Sequence, residues 1–597
     1  KSFGDSFAQL ASGIEEKLEA LSKGSQHRQS LLLFDQQAGV DAAVEGLRQQ
    51  NFVHRAWDHD PTAWTPSETA AKSIRSRLGW LDVTEQMIEQ LPSITEFADQ
   101  ARGDGFKHAV VLGMGGSSLC PEVLRQAFGV REGYPDLRVL DSTDPRAIRD
   151  IANGADPGTT LYVVSSKSGT TTEPNDFFAY FWEKVKALKG ESAGENFASI
   201  TDPGTPLQKL AEERGFRKCF LNPPDIGGRY SALSYFGVVP AAIMGIDVAG
   251  LLDRAQRMEQ SCVPVVPVEE NAGALLGAAM GALAQAGRNK VTFICSPGIG
   301  SMGLWLEQLL AESTGKEGTG LIPIAGEPLG SPDVYGDDRL FVYLRLAQHA
   351  DPEQDRRIEA LEDAKQPQVR ISLNDLLDLG QEFFRWEMAT ATAGSVLSIN
   401  PFDEPNVQES KDNTVRLLSD YEVHHRLPQP QPTLSSNGVS LVSEGGSGIA
   451  PIGGDGLPAA LREFLGGVHA GDYVGLMAYI DPNEANAETL ERVRTQIRDR
   501  LHVATTAGFG PRFLHSTGQL HKGGPNSGVF LQITGIDGSD QEVPGRSYTF
   551  QTLIDAQALG DLQALEQHQR RVIRLDLGRD IAAGLPVLEA AVREALG

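Results

Sequence analysis

The chain has 597 residues, room for about two to four domains with large cores. Its formal net charge is −26, from 79 Asp and Glu against 53 Lys and Arg, which argues against a nucleic-acid partner and requires a local positive pocket for any anionic ligand. Cys120, Cys219, Cys262 and Cys295 are scattered, without CxxC spacing or disulfide density, which points to a reducing cytoplasm; no apolar run reaches the ~18 residues of a membrane span and no signal peptide is evident.

Residues 1–100 read as mostly helical and polar, with Trp57, Trp64 and Trp80 as packing anchors. Over 101–270, strands alternate with helices. Apolar, β-branched runs predict strands at His108–Leu112, Leu137–Leu140, Leu161–Ser165, Phe197–Thr201 and Lys218–Leu221. That alternation predicts an α/β fold with a mainly parallel, doubly wound sheet. A Gly- and Ala-rich helix near Ala272–Ala286 leads into a second α/β unit, 271–426, with strands at Lys290–Cys295, Leu340–Leu344 and Val369–Leu373. Pro428, Pro430 and Pro432 and a Ser/Gly-rich run make 427–457 read as a linker or long loop. The last region, 458–597, reads as α/β, with strands Tyr473–Ile480 and Val529–Thr534 between helices.

Two loops in the first α/β unit carry ligand chemistry. The strand ending at Ser165 runs into Ser166-Lys167-Ser168-Gly169-Thr170-Thr171-Thr172-Glu173-Pro174, a burst of hydroxyls around one Lys before a helix. Free N–H groups and the positive dipole end at a helix start, joined by hydroxyls and a cation, make a seat for a dianionic phosphate. The competing reading is a Ser/Thr-rich turn that only caps a helix. No Gly-x-x-x-x-Gly-Lys-Ser/Thr pattern is present, so a nucleotide is not implied. The second loop, Gly113-Met114-Gly115-Gly116-Ser117-Ser118, follows another buried strand, and its glycines let backbone approach a ligand closely. Together the loops suggest a sugar phosphate across the carboxyl ends of parallel strands, its phosphate on Ser166, Ser168, Thr170 and Thr171 near Lys167, with Gly116 and Ser117 facing the sugar.

Those paired loops resemble the loops of sugar-isomerase (SIS) domains. Asp225-Ile226-Gly227-Gly228-Arg229-Tyr230-Ser231 resembles the first signature of the phosphoglucose isomerase family. Glu307-Gln308 and Glu312-Ser313-Thr314-Gly315-Lys316 resemble its catalytic-glutamate segment, and Asn400-Pro401-Phe402-Asp403-Glu404-Pro405-Asn406-Val407-Gln408-Glu409-Ser410-Lys411 its second signature. In that last segment Asn406 and Gln408 stand where the family more often has Gly and Glu, with the spacing to Lys411 kept. The start, Lys1-Ser2-Phe3-Gly4-Asp5-Ser6-Phe7-Ala8-Gln9-Leu10 and on to about Leu21, resembles the C-terminal helix of transaldolases. The whole chain is thus closest to the isomerase half of bifunctional transaldolase–isomerase proteins, which leaves room for a transaldolase domain ahead of Lys1 in a longer protein. The resemblance implies two SIS domains and reversible conversion of glucose 6-phosphate and fructose 6-phosphate, in glycolysis and gluconeogenesis. Another SIS-type sugar-phosphate isomerase and a non-catalytic SIS sensor are the alternatives.

Aldose–ketose isomerisation needs one group that takes and returns a proton, positive charge near the developing oxyanion, and a group to open the sugar ring. It needs no metal or organic cofactor. The resemblance implies that Glu312 carries the proton, that Gln308, one helical turn before it, binds substrate, and that Arg229 stabilises the enediolate. It also implies that Lys411 assists ring opening or holds a substrate oxygen. The ring-opening His is out of family order. His349 lies between Glu312 and Lys411 but does not match. His515, in Leu514-His515-Ser516-Thr517-Gly518-Gln519, does match, and His424-His425 is the competing pair. In the wider family this His comes from the partner subunit of a homodimer, which implies that His515 can act in trans.

Overall fold

The computed structural model describes residues 28–443, 456–536, 538 and 540–597. The transaldolase-like opening, residues 1–21, lies outside the described residues. Those described form three sheets. The first has the strand order Asp136–Leu140, His108–Gly113, Thr160–Ser165, Phe197–Thr201, Lys218–Leu221, all parallel. Each is a short apolar run ended by a polar turn, and Thr160–Ser165 is buried throughout, as a strand covered by helices on both faces must be.

The direction of winding reverses between His108–Gly113 and Thr160–Ser165. The chain goes outward from the first to one side, then crosses back to the second. Loops leaving such neighbours diverge and open a crevice at the carboxyl ends of the strands. The two loops there are Met114–Ser118 and Ser166–Thr171, the pair singled out in the sequence.

The second sheet has the order Gln29–Leu32, Gln368–Leu373, Arg339–Leu346, Lys290–Cys295, Ile322–Ile324. Its strands are parallel except Gln29–Leu32, which pairs antiparallel at one edge. The first hundred residues are therefore not a purely helical unit: they donate a strand to this sheet and share its core. Trp64 and Trp80 are buried, and the indole N–H groups of Trp57 and Trp64 donate to the carbonyls of Cys262 and Ala391 at 2.9 and 2.7 Å. One continuous apolar cluster, from Leu33 to Phe402, joins these helices to the first two sheets. The helix Ala272–Gln285 packs along Leu379–Val396 inside that cluster rather than merely linking two sheets.

The third sheet has the order Leu434–Ser436, Val439–Val442, Arg571–Asp576, Gly528–Thr534, Tyr473–Tyr479, Ala504–Phe509. Its first two strands form a hairpin laid antiparallel on Arg571–Asp576; the other pairs are parallel. Part of the expected 427–457 linker is thus a sheet edge, and residues 444–455 lie outside the described set. This sheet has its own core. Two further clusters clamp it to the rest: one joins Phe177 and Phe181 to Leu417, Phe550 and Leu553, the other joins Ala311, Ile322 and Ile324 to Tyr473, Leu514 and Leu520. Among the described residues no helix is long and apolar enough to cross a membrane.

Candidate active site

The three units meet around a cavity of about 780 Å3. Its wall carries Gly116, Ser117, Lys167, Ser168 and Thr171 from the first sheet's loops, Arg229 from the segment after it, Gln308 and Glu312 from the helix Met302–Thr314, Lys411 from the helix Val407–His424, and His515. These residues are far apart along the chain, and packing of the third sheet on the first two brings the last of them in.

Helical spacing sets the base. Gln308 and Glu312 lie one turn apart on one face, and Gln308 Nε2 donates to Glu312 Oε2 at 2.9 Å. Arg229 Nη1 donates to Glu312 Oε1 at 3.1 Å and to Glu404 Oε2 at 2.9 Å. Burial drives the Glu312 carboxyl above its ordinary value, Arg229 opposes this, and the negative charge of Glu404 adds to it. A carboxyl whose proton affinity is raised in this way accepts a proton more readily, as a proton shuttle must.

The first loop is held open by close backbone approach. A Cβ on Gly116 would stand 2.0 Å from the carbonyl oxygen of Gly228, and one on Gly115, at φ +55°, would stand 2.5 Å from the carbonyl oxygen of His515. Glycine is what lets the loop, the Arg229 segment and the His515 turn touch. Gln308 Nε2 also donates to that His515 carbonyl at 2.8 Å, so base and histidine share one tether.

In the hydroxyl loop, Thr171 is the N-cap of Thr172–Lys189 without a side-chain cap hydrogen bond, so the first turn keeps N–H groups for a ligand. Ser168 and Thr171 face the main cavity; Thr170 faces an adjoining cavity of about 430 Å3, which Ser168, Thr171, Lys411 and His515 also line. Ser166 is buried behind the loop, where its hydroxyl donates to Thr171 Oγ1 at 3.2 Å and accepts from the Gly169 N–H at 3.2 Å. Lys167 is committed: its ammonium pairs with Asp202 and donates to the Pro224 carbonyl at 3.0 Å. It ties the loop to the sheet at the cavity's edge.

Within one chain His515 lines the same cavity as Glu312 and Lys411. His349 and His424-His425 do not line the cavity. His515 Nε2 lies 2.9 Å from Glu173 Oε1. Burial works against the charge on Glu173, but His515, a backbone N–H and Lys411 together hold the carboxyl below its ordinary range. Gln557 Nε2 donates to the same Glu173 oxygen at 2.7 Å, and Thr143 Oγ1 donates to Gln557 Oε1 at 2.7 Å. Glu173 closes the hydroxyl motif itself, so its position was visible, but a Glu in the first turn of a helix is ordinary dipole chemistry. Gln557 sits in the helix Phe550–Gln567 and belongs to no motif.

The rest of the His515 segment is a clasp. The buried Gln519 donates from Nε2 to the Gly315 carbonyl and to Asn406 Oδ1, both at 2.8 Å, and accepts from the Asn406 N–H at 2.8 Å. The end of the Glu312 helix and the start of the Lys411 helix are thereby fixed to one side chain. Asn406, which replaces the more common Gly, supplies two of those contacts. Lys316, lowered to about 8 by burial, donates to the Asn400 carbonyl at 2.9 Å and pairs with Asp403 at 2.8 Å. Among the described residues no group of three or more His, Cys, Asp or Glu is placed to hold a metal ion.

A crevice at a strand switch point, a hydroxyl-rich helix start and a carboxylate against a buried guanidinium define a protein of the SIS type, whose paired α/β units bind phosphosugars. Residues 79–320 match the family model for phosphoglucose isomerase. A glucose-6-phosphate isomerase of Thermus thermophilus is 30% identical over 391 residues, 58% of this chain and 91% of that protein. One of Rubrobacter xylanophilus is 30% identical over 373 residues, 54% of this chain and 85% of that protein. The crystal structure of a hypothetical protein from Thermus thermophilus aligns with a TM-score of 0.55 at 25% identity, covering 65% of this chain and 99% of its own. The chain belongs to the phosphoglucose isomerase family.

Proposed function

We propose that this protein is a glucose-6-phosphate isomerase, interconverting glucose 6-phosphate and fructose 6-phosphate through an enediolate. The observation that carries the reading is the contact between Glu312 and Arg229, 3.1 Å apart on the wall of a cavity that also presents Ser117, Ser168, Thr171, Lys411 and His515.

The phosphate binds at the start of the helix Thr172–Lys189, on Ser168, Thr170, Thr171 and backbone N–H groups. His515, with Nε2 engaged by Glu173, uses its other ring nitrogen to protonate the ring oxygen while solvent water takes the O1 proton, giving the open-chain aldehyde, and the imidazole then regains its proton from solvent. Glu312 then takes the C2 proton. The electron pair moves to O1 as an enediolate, and Arg229 sets fixed positive charge beside it. Glu312 returns the proton to C1 while the proton on O2 passes to O1, so the product has the atoms of the substrate. Lys411 holds a substrate oxygen during ring opening.

A role in glycolysis and gluconeogenesis and a cytoplasmic site of action belong to the same proposal and rest on the family. Purified chain in an assay coupling glucose 6-phosphate formation to a dehydrogenase, starting from fructose 6-phosphate, tests it. Turnover lost in Glu312→Gln is expected; no turnover by the unaltered chain overturns it.

A further inference from the structure

Arg229 is 3% exposed and has an acceptor for every donor it owns. Nε donates to Ser313 Oγ at 2.8 Å, Nη2 to the carbonyls of Pro401 and Asp403, each at 2.9 Å, and Nη1 to Glu312 and Glu404. A guanidinium has five N–H groups. An oxyanion forming in the cavity therefore finds none unclaimed, and one acceptor has to yield.

Four of the five cannot yield cheaply. Two are backbone carbonyls of one loop, Ser313 is buried, and Glu312 is the base, its other oxygen held by Gln308. Glu404 differs on three counts. Its side chain is 33% exposed against 12% for Glu312. It lines the cavity. Its second oxygen is 4.0 Å from Nη2 of Arg77, another guanidinium on the cavity wall. It has somewhere to go, and a cation waiting there.

We propose that Glu404 is a displaceable counter-ion: it occupies an Arg229 N–H until the sugar's oxygen becomes anionic, then gives up that N–H and moves to Arg77. The inference rests on the isomerase reading above. A neutral hydroxyl competes poorly with an ionised carboxylate for a guanidinium, whereas an enediolate competes on equal terms. Glu404 thus weakens the guanidinium's contact with the anionic intermediate by competing for one N–H, a cost that Arg77 partly offsets by receiving the carboxylate, and leaves binding of the neutral sugar, which does not claim that N–H, almost unchanged. It also keeps Arg229 from pairing fully with Glu312 in the resting site.

Two ligands separate this role from simple packing. One is a five-carbon aldonohydroxamate phosphate, whose anionic head mimics the enediolate; the other is glucitol 6-phosphate, neutral at the corresponding carbons. Glu404→Ala is expected to tighten the hydroxamate about tenfold, the worth of a freed charged hydrogen bond, and to leave the glucitol phosphate within about twofold. Glu404→Gln, which keeps the shape and removes the charge, is expected to move affinity in the same direction. Arg77→Met is expected to weaken the hydroxamate several-fold in the natural background and to have no effect once Glu404 is Ala, because the two act as one unit. Hydroxamate affinity that is unchanged or weaker in both Glu404 variants, or a shift equal for both ligands, in a chain that still isomerises glucose 6-phosphate, overturns this inference alone. A wild-type chain that does not isomerise overturns the reading beneath it and the inference together.

Discussion

His515 and Glu173 are 342 positions apart in the chain and 2.9 Å apart in space, Nε2 against Oε1. Their meeting requires the C-terminal α/β unit to lie across the carboxyl ends of the first sheet, and Gln557 from the same unit fixes the oxygen they share. The third unit thus completes a site that the first two begin.

Replacing Glu312 by Gln removes the proton carrier and keeps the shape and the Gln308 side of the site. Turnover is expected to fall by about a hundredfold to ten-thousandfold, the usual worth of a positioned base. Sugar-phosphate affinity, measured by calorimetry, is expected to stay close to that of the natural chain.

Ser168→Ala with Thr171→Ala removes two hydroxyls that face the cavity at the helix start. The phosphate does not react, so its contacts act on bound substrate and transition state alike. KM is expected to rise about tenfold or more while kcat changes less than threefold. Ser166→Ala is expected to act differently, through the loop's own hydrogen bonds to Thr171 and Gly169, and to show as lower thermal stability.

Gln557→Leu keeps the volume and deletes the donor to Glu173. The carboxylate loses one of the two hydrogen-bond donors on Oε1, and the imidazole loses its fixed partner geometry. Turnover of cyclic glucose 6-phosphate is expected to fall about tenfold or more, that of an analogue lacking the ring-forming hydroxyl much less. Stopped-flow comparison of the two substrates measures this. Equal losses on both would place Gln557 in folding rather than ring opening.

Glu387 gives a stability test away from catalysis. Its side chain is 0% exposed, neither oxygen has a partner, and burial drives its carboxyl well above 4.5. The folded state therefore keeps a proton that the unfolded chain releases. That contribution is fully present below about pH 4.5 and is lost as pH rises toward the folded value. Glu387→Gln removes the linkage. Between pH 5 and 8 its melting temperature is expected to fall less with rising pH than that of the natural chain; parallel curves would contradict a buried neutral carboxyl.

Much of the framework is legible in the sequence because buried parallel strands are written as apolar, β-branched runs. Phe197–Thr201, Lys218–Leu221 and Lys290–Cys295 begin and end where their patterns do. Several unread strands are of another kind. Gln29–Leu32 and Leu434–Ser436 are short edges with only partial burial. Ala504–Phe509 is built of small residues, and Arg571–Asp576 mixes charge with apolar residues, so neither looks like a core strand. At the site, motifs found the positions of Arg229, Gln308, Glu312 and Lys411, because spacing along one helix or one loop is a local property. Pairings across units are not local. No pattern ties Glu173 to Gln557, Asn406 to Gln519 or Arg229 to Glu404. Nor does any pattern tie Lys167 to Asp202, its partner in the fold.

The most direct test of proton transfer by Glu312 is isomerisation in D2O. Glucose 6-phosphate is incubated with the purified chain through many turnovers, and the fructose 6-phosphate formed is examined at C1 by NMR. A carboxyl that takes the C2 proton exchanges it with solvent in a fraction of turnovers before returning it. Deuterium accumulating at C1 with the natural chain, and neither conversion nor deuterium with Glu312→Gln, is the expected result. Conversion that leaves C1 free of deuterium, or undiminished exchange by Glu312→Gln, would contradict it.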